Sequence, residues 1–149
     1  MIQSGHVYYI LCLGPGEGNR WLNGETKESE VDLAPDPTDP NSGTAWFAFQ
    51  EDPTKNSWQF RCHGSLDQSQ FLNGHTIEGT VNLDRNPDSS GTRWFLSDSD
   101  GQYYYIKCLG HVEGYRWLNG ETRNASVNLK ENHGSEYSGA SWRFFERVL

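Results

Sequence analysis

The sequence predicts an all-β fold made of three homologous units, because one segment recurs three times and its neighbours alternate between apolar and polar residues. The segment Arg-Trp-Leu-Asn-Gly-Glu-Thr at 20–26 returns in related form at 70–76 and 116–122. Each copy is followed by Val-Asp-Leu or Val-Asn-Leu and then by a closing tryptophan: Trp46, Trp94 or Trp142. We therefore expect the 149 residues to form a single domain, with repeats at about 4–52, 53–99 and 100–149.

Each unit is predicted to contain four short strands. The first strands are expected at 7–13, 57–63 and 103–109, and alternation assigns their side chains to two faces. The second strand contains Trp-Leu-Asn, the third contains Val-x-Leu, and the fourth begins at the closing tryptophan. Asn-Gly after the second strand predicts a tight turn. The predicted inward residues are Tyr8, Ile10, Cys12, Trp58, Phe60, Cys62, Tyr104, Ile106 and Cys108, and the wetter face carries Tyr9, Leu11, Gln59, Arg61, Tyr105 and Lys107.

Three units of four strands favour a β-trefoil, in which a six-stranded barrel is capped by three hairpins. A propeller also uses four-stranded units, but it typically needs at least four of them. In the trefoil, the closing tryptophans and the leucines of the second strands (Leu22, Leu72 and Leu118) should be buried.

The three cysteines, Cys12, Cys62 and Cys108, occupy equivalent places in the three units. Their number is odd and their spacing matches no zinc motif. We expect reduced, buried thiols that act as small apolar core residues rather than as catalytic or metal-binding groups.

The composition argues against several functional classes. The net charge is −8 and the 12 Lys and Arg residues are scattered, so no nucleic acid is expected as a partner. No apolar run approaches the roughly 18–20 residues of a membrane span, which argues against membrane insertion. The first residues lack the basic start and apolar stretch of a signal peptide. We expect a protein that is cytoplasmic, or secreted without a recognisable signal peptide.

The order of short motifs in each unit resembles the ricin B-chain-like (R-type) lectin family. Leu22-Asn23, Val31-Asp32-Leu33 and Trp46 stand where that family carries Leu-Asp, Val-x-Leu and Gln-x-Trp. The resemblance covers nearly the whole chain and implies a β-trefoil that binds carbohydrate. Asn replaces the family's sugar-binding Asp, no aromatic residue follows Val-x-Leu, and the family's disulfide cysteines are absent. The chain is closest in character to the cytosolic trefoil lectins of mushrooms.

The candidate carbohydrate-binding residues lie around the second strands. A sugar site combines a flat aromatic ring with short polar side chains. If Leu22 points inward, Trp21 and Asn23 should point outward together. The alternatives are that the tryptophans cover the barrel rim and that Asn-Gly only forms a turn. The full candidate set is Trp21, Asn23, Phe71, Asn73, Trp117, Asn119, Arg20, Arg116, Glu25 and Glu121, with Glu17, Glu113, Asp36, Asn86, Asn132 and Tyr137 as further candidates in variable loops.

The function predicted from these features is that of a non-catalytic lectin with up to three homologous glycan sites. No nucleophile motif, cofactor motif or metal-binding loop is evident. The second unit departs most from the pattern, with Gln70, Phe71 and His75, and its site is expected to be weaker or silent. The alternative is a protein-binding trefoil such as a protease inhibitor, which would use the proline-containing loop at 35–42. A homodimer is also possible on sequence grounds.

Overall fold

The computed structural model describes residues 2–15, 18–37, 43–64, 70–99, 102–110, 114–134 and 138–147, and these contain twelve strands. Two single 3-10 turns, Pro53–Lys55 and Ser90–Thr92, are the helical elements of these residues, and neither is long enough to cross a membrane. The strands are β1 (His6–Cys12), β2 (Trp21–Glu25), β3 (Glu30–Ala34), β4 (Ala45–Asp52), β5 (Ser57–Cys62), β6 (Phe71–His75), β7 (Thr80–Asp84), β8 (Trp94–Ser99), β9 (Tyr103–Cys108), β10 (Trp117–Glu121), β11 (Ser126–Lys130) and β12 (Ser141–Glu146).

Six of the strands pair in a closed ring. β1 pairs with β4 and β12, β5 pairs with β4 and β8, and β9 pairs with β8 and β12, all antiparallel. The other six form the hairpins β2–β3, β6–β7 and β10–β11. These hairpins also pair with one another through β3, β7 and β11. The fold is therefore all-β, with a closed barrel and three additional hairpins.

The closing tryptophans form the centre of the core, as the sequence predicts. Trp46, Trp94 and Trp142 are fully buried. Each indole Nε1 donates a hydrogen bond to the carbonyl oxygen of the second-strand leucine of its own unit, at 2.9, 3.0 and 2.9 Å. The three leucines are also fully buried, and the inward residues predicted for the first strands, from Tyr8 to Cys108, are buried as well. The predicted core is confirmed.

A close contact between glycine and cysteine joins each unit to the next. A Cβ atom added to Gly24 would lie 2.7 Å from Cys62 Sγ, and one on Gly74 would lie 2.8 Å from Cys108 Sγ. The third contact closes the circle, because a Cβ on Gly120 would lie 2.8 Å from Cys12 Sγ, back in the first unit. Glycine is needed at these positions for space, since a real side chain cannot approach sulfur so closely.

The cysteines are free and buried, as predicted. Each Sγ lies 3.4–3.6 Å from the carbonyl oxygen of the glycine three residues before a closing tryptophan: Gly43, Gly91 or Gly139. Burial raises the pKa of the Cys62 thiol to about 11 and also raises the pKa of the other two thiols. The thiols therefore remain protonated core groups at neutral pH.

Two local predictions are wrong. The Asn-Gly pair does not form the turn, because β2 continues through Gly24 to Glu25 and the chain reverses at 26–29. Ser29 supplies the left-handed conformation that this four-residue turn requires, at φ 58°. Gln59, which was expected on the wetter face, is buried because its Nε2 donates to Pro87 O (2.7 Å) and Thr92 Oγ1 (3.0 Å).

The glycine–cysteine contact generates a prediction for a double-mutant cycle. Gly24→Ala should lower the free energy of unfolding by about 1–3 kcal/mol, because the new methyl group is forced against the Cys62 sulfur. In a Cys62→Ala background the same substitution should cost less, because the obstructing sulfur is gone. Urea unfolding of the four proteins measures the coupling. If the effects of the two substitutions on the free energy of unfolding are strictly additive, the contact does not limit the packing.

Candidate functional site

Three equivalent surface sites, here called clefts, lie on the outside of the barrel, one beside each second strand. Each is built on a row of three residues from paired strands: the fourth strand of the preceding unit, the first strand, and the start of the second strand. The rows are Arg143, Leu11 and Trp21 in the first cleft; Phe47, Arg61 and Phe71 in the second; and Phe95, Lys107 and Trp117 in the third.

The first cleft is an aromatic platform centred on Trp21, which is half-buried. The ring of Tyr9 meets Trp21 edge-on at a centroid distance of 6.4 Å, and Phe145 packs against it at 5.7 Å. Phe145 is itself exposed. These contacts fix the orientation of the Trp21 indole while leaving part of the aromatic surface in contact with solvent.

The third cleft repeats this platform and adds a histidine. Tyr105 meets Trp117 edge-on at 6.3 Å, in the same way as Tyr9 meets Trp21. His133 stacks on Tyr105 at 3.9 Å and stands edge-on to Trp117 at 4.8 Å. Lys107 places its Nζ 5.7 Å from the centre of the Trp117 ring. The third platform is therefore more crowded than the first.

The second cleft is a concave pocket of about 340 Å³. Gln59 occupies the place of Tyr9 and Tyr105, but it turns inward to its two hydrogen-bond partners and leaves the space open. The guanidinium of Arg61 lies over the ring of Phe47, 4.7 Å from its centre. The pocket is lined by Phe47, Phe49, Gln59, Arg61 and Phe71.

The asparagines of the second strands are buried, and the expectation that they point outward is wrong. Asn23, Asn73 and Asn119 are 5%, 4% and 7% exposed. The hairpin is covered on both sides at this point, by the barrel core and by the loop before the closing tryptophan, so simple alternation fails. Direct contact of these asparagines with a sugar remains a prediction, but their side chains already have partners within the fold.

Those partners show what the asparagine does in the fold. Asn23 Oδ1 accepts a hydrogen bond from Gly43 N at 2.8 Å, and its Nδ2 donates to Glu25 Oε2 (2.7 Å) and Asp32 Oδ1 (2.8 Å). Asn119 Nδ2 donates in the same way to Glu121 and Asn128. The asparagine thus links the second strand, the third strand and the following loop beneath the cleft.

The predicted arginines also support the second strands rather than facing the clefts. Arg20 Nη1 donates to Cys12 O at 3.0 Å, and Arg116 Nη1 donates to Cys108 O at 2.8 Å. In the second unit Gln70 replaces the arginine and is fully buried, with Nε2 bonded to Thr26 O. Of the candidates, Trp21, Phe71 and Trp117 therefore lie in the clefts, and the asparagines are buried behind them. Glu25 and Glu121 accept hydrogen bonds from Asn23 and Asn119 and remain partly exposed.

The aromatic residues that complete the clefts were missed as site residues. Tyr9, Tyr105 and Phe145 sit at outward positions of first and fourth strands, so alternation alone could have identified their face. Strand pairing places these residues next to the second strand, and that pairing cannot be read from the sequence. Among the loop candidates, Asp36, Asn86 and Asn132 are exposed, whereas Glu17, Glu113, Tyr137 and residues 38–42 of the proline loop lie outside the described residues.

Comparisons with known proteins identify similar folds but no family. No family model matches the sequence, and no curated protein matches it. The crystal structure of Cry35Ab1 is similar over 97% of this chain and 36% of its own, at 16% identity and a TM-score of 0.74. SeviL bound to asialo-GM1 saccharide is similar over 97% of this chain and 100% of its own, at 15% identity and a TM-score of 0.69.

A third similar structure is the GlcNAcα1-4Gal releasing endo-β-galactosidase from Clostridium perfringens. It matches 96% of this chain and 33% of its own, at 15% identity and a TM-score of 0.71. The chain thus spans about a third of the length of two of these proteins and the whole length of SeviL. At such identities the likeness establishes the fold alone.

A carboxyl pair in the first unit generates a prediction. Burial and the neighbouring Asp32 carboxylate raise the pKa of Glu25, so the folded state favours its protonated form. Stability should therefore fall as pH rises from the ordinary Glu value of 4.5 through the raised value. Asp32→Asn should weaken this dependence, leaving the part that comes from burial, and raise the free energy of unfolding at neutral pH by about 0.5–1 kcal/mol, since the repulsion is partly screened.

The reciprocal variant is Asn128→Asp, which creates the same pair beside Glu121 in the third unit. It should lower stability at neutral pH and leave it nearly unchanged at pH 4. Thermal unfolding at a series of pH values measures both variants. If the stability of both variants depends on pH in the same way as that of the wild type, the carboxyl pair has no energetic role.

Proposed function

We propose that the protein is a non-catalytic β-trefoil that binds glycans through aromatic clefts on the outside of its barrel. The proposal depends mainly on one observation: an aromatic side chain of the second strand is held, half-buried, at the same place in three equivalent clefts. The ring of strands and the three hairpins that pair with one another support a trefoil of three units.

The chemistry of the first cleft suits a sugar ring. The C–H face of a pyranose packs on an indole, and the surrounding groups must keep that indole oriented. Tyr9 and Phe145 do so for Trp21 through edge and tilted contacts. The buried asparagine behind the platform fixes the strand that carries Trp21, so we assign Asn23 and Asn119 a positioning role.

The comparisons support the same class of ligand. SeviL is described as bound to a saccharide, and the Clostridium enzyme as releasing a disaccharide. Both share this fold over nearly all of the present chain. Three clefts of related shape would allow several weak contacts to combine on a glycan-bearing surface, as in an R-type lectin.

The platform tryptophans provide the test. Replacing both Trp21 and Trp117 with Ala should weaken glycan binding by about tenfold at each cleft, because the stacking surface is lost. A glycan array identifies a neutral ligand, and calorimetry with that ligand measures the loss.

The matched control replaces the same two residues with Phe, which the second unit carries naturally as Phe71. Binding should be largely retained, since a flat ring remains in each cleft. Circular dichroism establishes that each variant is folded. Unchanged affinity in a folded Trp21→Ala, Trp117→Ala protein would contradict the proposal.

A further inference from the structure

The second cleft differs from the other two in both shape and charge. Its volume of about 340 Å³ falls in the range of small-ligand pockets. The difference has a clear cause, because the buried Gln59 leaves open the space that Tyr9 and Tyr105 fill elsewhere. A single sugar residue can therefore enter this cleft rather than only lie on it.

A positively charged group lies at the centre of this pocket. Arg61 sits in the middle of the row, between Phe47 and Phe71, with its guanidinium against the Phe47 ring. Its Nε is buried and has no hydrogen-bond partner within the described residues. Stacking on a ring leaves the edge of a guanidinium available, and that edge matches a carboxylate in a bidentate pair.

Two further basic residues belong to the chain segments around this pocket. His63 is the next outward residue on the same chain segment, and its Nδ1 is also buried without a partner in the described part of the chain. Burial lowers the pKa of His63, and the charges of Arg147 and Arg61 lower it further. Arg147 is anchored through its backbone N to Val7 O, next to Phe47.

The acidic group beside this row is already engaged. Asp84 pairs with Phe71, but its Oδ1 accepts from Asn86 N at 2.9 Å and its Oδ2 from Ser89 Oγ at 2.9 Å. No ion pair joins Arg61 to a carboxylate among the residues that the structure describes. In a protein of net charge −8, this leaves a local positive site inside an aromatic pocket.

We propose that the second cleft is a site for an acidic sugar, whose carboxylate pairs with Arg61 while its ring packs on Phe71 and Phe49. The inference rests on the proposed glycan-binding function and assigns the second unit a ligand of its own. It replaces the expectation that the second site is weak or silent.

The other clefts differ from the second at the position of Arg61. Leu11 stands in the place of Arg61 in the first cleft, and Arg143 donates its Nε to Gln102 O at 3.1 Å. In the third cleft, Lys107 approaches the Trp117 ring and His133 covers the adjacent Tyr105. We therefore expect acidic sugars to bind in the second cleft and neutral sugars to bind in the first.

The test compares sugars that differ only in the carboxylate. Calorimetry is performed with the methyl glycosides of glucuronic acid and glucose, of galacturonic acid and galactose, and with N-acetylneuraminic acid and its carboxyl-reduced form. At least one acidic sugar should bind about tenfold more tightly than its neutral partner, and Arg61→Gln should abolish that difference. Arg123→Gln, which makes the same charge change at an exposed turn residue, should preserve it.

An NMR measurement on the wild-type protein covers the case in which Arg61→Gln does not fold. The Arg61 Nε–H signal should shift on addition of the acidic sugar and stay in place with the neutral one. An acidic preference that survives in folded Arg61→Gln, or an Nε–H signal that never moves, overturns this inference. Neutral glycans that still bind through Trp21 would show that the broader function stands. A wild-type protein that binds no glycan at all would overturn both proposals.

Discussion

The packing of a glycine against a cysteine of the next unit is the constraint on which the rest of the structure depends. Gly24, Gly74 and Gly120 each lie against the first strand of the following unit, and the third contact returns to the first unit. The ring of the closing tryptophan also reaches this glycine, within 3.1–3.3 Å of the added Cβ position. Each unit therefore completes the core of its neighbour, and none can be repacked alone.

This inner layer explains why the outer face is free to vary. The buried asparagine, the arginine or glutamine before the second strand, and the closing tryptophan hold the second strand in one position in every unit. The aromatic residue that starts the strand is then presented at a fixed place. Its outward neighbours can change from tyrosine to glutamine, or from leucine to arginine, without disturbing the core, and this variation gives the three clefts different chemistry.

The repeat and the alternation were sufficient to predict the strands, the buried leucines and tryptophans, and the buried thiols. They failed at Asn23 and Gly24, where a loop covers the strand and three consecutive residues are buried. The same limit applies to the clefts. Tyr9 and Phe145 are far apart in sequence and meet Trp21 only through strand pairing, and the inward turn of Gln59 depends on Pro87 and Thr92. Side chains whose direction is set by non-local partners cannot be placed by a local pattern.

One set of aromatic residues builds the core, and we propose that another set binds ligand from the outside. The six tryptophans allow a direct test, because Trp46, Trp58, Trp94 and Trp142 are buried whereas Trp21 and Trp117 lie in the clefts. Indole N–H signals of ¹⁵N-labelled protein are followed as a neutral glycan is added. We expect the Trp21 and Trp117 signals to shift and the four core signals to stay in place. Glycan binding that leaves both cleft tryptophans unmoved would contradict this proposal.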